Sequence, residues 1–260
     1  VTSDMGKPRI LILGGTGEAR LLAEALAARG DSEILLSLAG RTERPAAQPA
    51  PVRIGGFGGA VALADFLKTG GYDLLIDATH PFAERISANA AFAAETTGIT
   101  AIALRRPEWQ RQPSDRWREA VSIPAAIAAL GPSPRRVFLA TGRQGAHHAE
   151  AAPQHSYLIR SVDPVEPPLA LPDVDYILDR GPFTREGECA LLRQHHIDVI
   201  IAKNSGGAAT YAKIEAARLL GIEVVMVARA SAPAVKAVDT VEAALAAIDH
   251  FLSPAMKRGV

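Results

Sequence analysis

The chain has 260 residues, 48% of them apolar and 22% charged, with 28 Lys plus Arg against 28 Asp plus Glu. That balance leaves no cationic excess for neutralising phosphates, which argues against nucleic acid as the main partner. No apolar run approaches the ~20 residues of a membrane span, and the single Cys189 excludes an intramolecular disulfide and points to the cytoplasm. Residues 1–10 carry no apolar signal core, and Met5 is read as the natural start, so residues 1–4 are set aside.

Short runs of Ile, Leu and Val alternate with longer Ala-rich stretches, the pattern of parallel strands joined by crossover helices. Strands are expected over 9–13, 33–38, 52–54, 74–78, 100–104, 136–140, 157–160, 175–178, 199–202 and 223–227. Helices are expected over 18–29, 59–68, 81–97, 124–130, 145–150, 185–195, 207–220 and 241–251. The strands read as apolar on both faces, as in sheets covered by helices on both sides. The pattern of a Gly-rich turn after an opening strand, then a polar turn after a later one, occurs twice. The Pro- and Gly-rich stretch "ALGPSPRR" (129–136) is a candidate linker, and "VDPVEPPLALPDVD" a long surface loop.

The first strand ends in "GGTGEAR". Gly14, Gly15 and Gly17 permit a tight, bare backbone, and a helix starting near Glu18 aims its unpaired N–H groups at whatever lies above the turn. That suits a pyrophosphate, with Thr16 adding a hydroxyl, although Arg20 stands where a third glycine is usual and a tight strand-to-helix turn would look the same. The second strand ends in "SLAGRT" without the acidic residue that favours NAD. Ser37, Arg41 and Thr42 stand there instead, which favours the 2′-phosphate of NADPH over NAD, unless Arg41 is a plain surface residue.

The fourth strand ends in "DATHPFAERISANA". Pro81 fits the first turn of a helix, which Thr79 or His80 would cap. His80 can hydrogen-bond a cofactor or substrate, or donate a proton near neutral pH. In the second half, "ATGRQG" offers Thr141, Gly142 and Arg143. There too, "AKNSGGAATYAK" offers Lys203, Asn204, Ser205, Gly206, Thr210 and Lys213. Both suit carboxylates or phosphates, or are ordinary polar caps. Between the halves, "LRRPEWQRQPSDRWRE" holds five arginines and both tryptophans, and either embraces a flat polyanion or is a loop pinned by its Trp side chains. His147–His148 and His195–His196 lack a metal-ligand frame, and no metal is expected. No tyrosine among Tyr72, Tyr157, Tyr176 and Tyr211 has a Lys four residues later, which counts against a short-chain dehydrogenase.

Together "ILILGGTGEARLLAEALAARG", "SLAGRT", "GGFGG", "DATHPFAERISANA", "LRRPEW" and "AKNSGGAATYAKIEAARLLGIEVVMVAR" resemble the precorrin-6A reductase family of cobalamin biosynthesis, from about residue 9 to 229. The resemblance implies two Rossmann-like α/β domains with mainly parallel sheets flanked by helices and a ligand cleft between them. We expect an NADPH-binding domain over 5–133 and a tetrapyrrole-binding one over 134–260. It also implies an NADPH-dependent oxidoreductase acting on CH–CH, which passes hydride to precorrin-6A and gives precorrin-6B in the aerobic pathway. Hand-over from neighbouring enzymes of the pathway follows as a partnership. The acidic arms of the macrocycle would meet Arg143, Lys203, Lys213 and the arginine segment. His80, another side chain or water would give the proton. An NADP-binding sensor without catalysis is the alternative from another class.

Overall fold

The computed structural model describes residues 7–40 and 47–253. The chain divides into two compact units, with breaks at Pro107/Glu108 and at Ala230/Ser231. The first unit contains β1 (Arg9–Leu13), α1 (Gly17–Arg29), β2 (Glu33–Leu38), β3 (Val52–Ile54), α2 (Ala60–Thr69), β4 (Leu74–Asp77), α3 (Glu84–Thr97) and β5 (Thr100–Leu104). The second contains β6 (Trp117–Ala120), α4 (Ile123–Ala128), β7 (Arg136–Ala140), α5 (Arg143–Ala146), β8 (Ser156–Ser161), β9 (Val174–Leu178), α6 (Arg185–Gln194), β10 (Val199–Lys203), α7 (Ala212–Leu220) and β11 (Glu223–Val227). The chain then returns to the first unit with β12 (Lys236–Val238) and α8 (Val241–Leu252).

Each unit holds a six-stranded sheet, with orders β12-β5-β4-β1-β2-β3 and β6-β11-β10-β7-β8-β9. Every described strand pair is parallel. The period-2 alternation of a strand explains the doubly covered first sheet. Ile10, Ile12, Leu74 and Ile76 face α1 and α8, while Leu11, Leu13 and Leu75 face the side of α2 and α3. Each such side chain, wholly withdrawn from water, contributes roughly 1.5–3 kcal/mol. In the second sheet Phe138, Leu158, Ile200 and Met226 pack with Cys189 and Leu192 of α6 and Ile214 of α7.

The domain boundary differs from the expected 133/134. "ALGPSPRR" lies inside the second unit, as the turn from α4 to β7, and the crossings fall earlier and later. Each sheet takes its sixth strand from the segment that follows the other sheet's fifth. β6 leaves β5 behind and pairs with β11, while β12 leaves β11 behind and pairs with β5. Neither strand was expected from the sequence. β6 reads "WREA" and β12 reads "KAV", edge segments too short and too charged to look like strands.

Helix starts follow their caps. The Thr16 hydroxyl accepts from Ala19 N–H and Gly30 closes α1 in the left-handed region at φ 65°. The third helix starts at Glu84, not at Pro81, and neither Thr79 nor His80 caps it. His80 C=O instead accepts Ala83 N–H at 2.7 Å, which makes a turn of residues 80–83 before the helix. The expected helices at 145–150 and 207–220 are each split by a short 3-10 turn, His147–Ala151 and Ala208–Thr210. Among the described residues no helix is long and apolar enough to cross a membrane.

Candidate functional site

In each sheet the chain leaves one central strand in one direction and later returns on its other side. The crevice beyond the carboxyl ends of those two strands is where ligands of open parallel sheets lie. In the first unit these strands are β1 and β4; in the second, β7 and β10.

At the end of β1, Gly14 N–H donates to Ser37 C=O at 2.9 Å, and a Cβ on Gly14 would sit 2.7 Å from Leu36 Cδ1. Gly14 is therefore a close-packing glycine. Gly15 and Gly17 differ from it: a Cβ on either would meet nothing within 4 Å, and Gly15 stands at φ +112°. The space over the turn is open, and the first N–H groups of α1 have no partner within the helix. These residues fit a pyrophosphate. Thr16 does not offer its proton to a ligand, because its hydroxyl donates to Ala78 C=O at 2.8 Å and accepts Ala19 N–H at 3.1 Å. It ties the turn to the end of β4.

Two ion pairs, missed at the sequence level, frame this edge. Arg106 Nη1 lies 2.7 Å from Glu18 Oε2, which neutralises an acid that would otherwise face an anion at the helix start. Arg105 Nη2 lies 3.5 Å from Asp77 Oδ2. Asp77 is only 4% exposed, and its Oδ1 accepts both the N–H (3.2 Å) and the hydroxyl (2.6 Å) of Thr79. An Asp closing the apolar run "LLID" was the signal available. His80 Nδ1 accepts Phe82 N–H at 3.3 Å, so the neutral ring carries its proton on Nε2. Ser37 is buried within β2, opposite Leu13 and Arg53. Arg41 and Thr42 lie outside the described residues.

In the second unit Gly142 turns at φ +78° ahead of Arg143, the first residue of α5. The Thr141 hydroxyl is buried under Gly145, whose added Cβ would meet it at 2.6 Å, so it faces inward. Across the crevice, Lys203 ends β10, and Ser205 N–H donates to Lys203 C=O at 2.7 Å in a turn completed by Gly206 at φ +71°. Asn204 is buried, with its side-chain amide bonded to Trp109. The cationic aromatic segment takes the form of a loop pinned by its Trp side chains, with Arg111, Arg116 and Arg118 exposed. Trp109 and Trp117 sit in the core, Arg218 grips Asp115 at 2.8 Å, and Arg116 donates to Gly221 C=O at 2.8 Å.

Lys213 was expected at the ligand surface, but α7 turns it inward. It is 4% exposed, its Nζ donates to Thr210 C=O at 2.5 Å, and it lies 4.8 Å from the Trp109 ring. Burial, reinforced by the Arg160 guanidinium and opposed by Glu188, pushes its ammonium from 10.5 down to about 7. Between those values the unfolded chain holds a proton that the folded chain has released, so stability rises with pH from about 7 to 10.5. Lys213→Met is expected to flatten that rise in urea-unfolding midpoints measured across the window; an unchanged slope contradicts the burial argument. Thr210 likewise serves Lys213 through its carbonyl.

The precorrin-6x reductase CbiJ/CobK family model matches residues 9–249. A Sinorhizobium protein named "Precorrin-6A reductase" is 60% identical over 254 residues, covering 98% of this chain and 97% of the relative. One of the same name from Rhodobacter capsulatus is 48% identical, covering 97% and 99%. A solved structure titled "CobK precorrin-6A reductase" superposes with TM-score 0.90 at 47% identity, covering 97% of this chain and 100% of that one. A Salmonella typhimurium protein at 30% identity, covering 86% and 89%, is named "Cobalt-precorrin-6A reductase".

Proposed function

The chain belongs to the precorrin-6x reductase CbiJ/CobK family, and on that footing we propose that it reduces precorrin-6A to precorrin-6B with NADPH in the aerobic route to cobalamin. The observation that carries this reading is the match, over nearly the whole chain, to a relative with that activity in its name. The relatives at 60% and 48% identity are named for the metal-free precorrin, whereas the one at 30% is named for the cobalt form, which supports the metal-free substrate.

The bound nicotinamide supplies the hydride, and the protein's share is to bind, orient and exclude water. The open face over Gly15 and Gly17 and the start of α1 hold the pyrophosphate, with Gly14 and Thr16 fixing the turn from below. The charge of Glu18 would be offset there by Arg106. Ser37, Arg41 and Thr42 are assigned to the ribose end, where Arg41 would favour the 2′-phosphate. Thr79, held by Asp77, sets the turn that carries His80, which in its protonated form is the proposed proton donor to the reduced macrocycle.

In the second unit Gly142, Arg143, Lys203, Ser205 and Gly206 are assigned to the acidic arms of the macrocycle. Thr141, Asn204, Thr210 and Lys213 support that surface from beneath. Loss of nicotinamide absorbance that depends on added precorrin-6A tests the reading; NADP binding without turnover would instead mark a sensor. Lys203→Ala is expected to raise the KM for precorrin-6A about tenfold, the weight of one charge-assisted contact. The same variant should leave NADPH affinity unchanged. An unaltered precorrin KM removes Lys203 from the substrate surface.

A further inference from the structure

Asn204 follows Lys203 at the carboxyl end of β10, where a polar side chain reads naturally as a ligand. Its surroundings say otherwise. The side chain is 8% exposed, and its amide faces the backbone of Trp109. Oδ1 accepts Trp109 N–H at 2.8 Å, and Nδ2 donates to Trp109 C=O at 3.2 Å. Nδ2 also lies 3.5 Å from Glu108 Oε2. A planar amide making this reciprocal pair stands in for a neighbouring strand residue.

The backbone of Asn204 is committed as well. Its N–H donates to Val227 C=O at 2.9 Å, and its C=O accepts Arg229 Nε at 2.8 Å. Arg229 in turn lies 3.8 Å from Glu108 Oε1. From the other side the Trp109 ring packs 5.5 Å from the Tyr211 ring and 4.8 Å from Lys213 Nζ. The segment at Glu108–Trp109 is thus clasped to the loop between β10 and α7, and Asn204 is the pin.

We propose that Asn204 is a positioning residue of the reduction: by clamping the Trp109 backbone it holds the Lys203–Gly206 turn, and with it the Lys203 ammonium, in the place where the substrate's carboxylates are received. This rests on the reading of that turn as the substrate surface. Its chemistry is specific to an amide. Asn204→Asp keeps the acceptor for Trp109 N–H, loses the donor to Trp109 C=O, and sets a carboxylate against Glu108.

The test compares Asn204→Asp, Asn204→Ser and the double variant Asn204→Asp/Glu108→Gln. The measurements are steady-state kinetics with precorrin-6A, NADPH binding by titration, and hydrogen exchange of the peptides spanning 108–112 and 203–206. A turn loosened by the order of an ångström costs about tenfold to a hundredfold in turnover efficiency. The clamp therefore predicts a drop of that size in kcat/KM for precorrin-6A in both single variants. NADPH affinity should stay within about twofold of the parent, far below the tenfold that 1.4 kcal/mol would give. It predicts faster exchange in both peptides together, and partial recovery when Glu108→Gln removes the opposed carboxylate. Unaltered kcat/KM in a folded single variant, an equal loss of NADPH affinity, or exchange that quickens in one peptide alone overturns it. Lys203→Ala separates the two claims. If that variant alters the precorrin KM while the Asn204 variants do not, only the clamp fails; if it does not, the substrate surface itself is misplaced.

Discussion

Glu188→Ala is expected to destabilise the second unit by about 3–5 kcal/mol, the usual result of stripping one partner from a buried ion pair. Glu188 on α6 and Arg160 on β8 meet through two hydrogen bonds, Nη1 to Oε1 at 2.5 Å and Nη2 to Oε2 at 3.1 Å. Both are almost fully buried. The guanidinium is sandwiched as well, 3.7 Å from the Phe183 ring centre and 4.9 Å from that of Phe138. Removing the carboxylate strands the Arg160 guanidinium in the core and takes away the charge that opposes the loss of the Lys213 proton. Arg160→Ala should cost less. It leaves Glu188 with Lys213 nearby, and without the repulsion of Arg160 the lysine regains its proton more readily. Urea denaturation of the two variants should therefore rank Glu188→Ala as the worse. The reverse order would mean that Lys213 does not answer to Glu188. A paired Arg160→Met/Glu188→Leu replacement should recover most of the loss, because two apolar side chains of similar volume need no charge partner.

Gly15→Ala should cripple cofactor use with a smaller effect on folding. No protein atom lies within 4 Å of the added Cβ, so no clash arises inside the chain. The cost comes from the backbone, since φ +112° is a region that side chains rarely adopt, and amounts to about 1–3 kcal/mol. Either the turn keeps its shape and the methyl group projects into the space proposed for the pyrophosphate, or the turn relaxes and the N–H groups lose their aim. Both raise the KM for NADPH, by about a hundredfold for the ~3 kcal/mol that a lost anion cradle implies. Gly17→Ala is the control. Its backbone is unstrained and its Cβ also meets nothing, so folding should be unchanged while NADPH binding still weakens. If NADPH binds both variants as it binds the parent, the turn does not hold the cofactor.

The parallel α/β architecture was legible because the strands that build both cores are long, apolar and separated by Ala-rich helical stretches. "RILIL" and "VIIAK" can only be central strands. The exchange of edge strands was not legible. β6 and β12 owe their place to pairing with a sheet laid down elsewhere in the chain, and their own residues carry almost no strand signal. The turns after β1, β4, β7 and β10 were found because glycines and polar residues at the ends of apolar runs have few other uses. Which way each polar side chain turns was not written locally. Lys213 and Asn204 point inward because Trp109, far off in sequence, makes a partner for each there, its ring for the lysine and its backbone for the amide. Thr16 and Thr141 show the same limit on a smaller scale, each spending its hydroxyl side on packing or on a cap.

The most direct test of hydride delivery from NADPH to the macrocycle uses NADPH carrying deuterium at both C4 positions of the nicotinamide. The protein is incubated with that cofactor and precorrin-6A, and the tetrapyrrole is weighed by mass spectrometry. The account predicts a reduced macrocycle that has gained one deuterium, transferred as deuteride from the cofactor, with one NADP+ formed for each product molecule. A macrocycle reduced without the label, or labelled cofactor left unconsumed beside unchanged precorrin-6A, would contradict it.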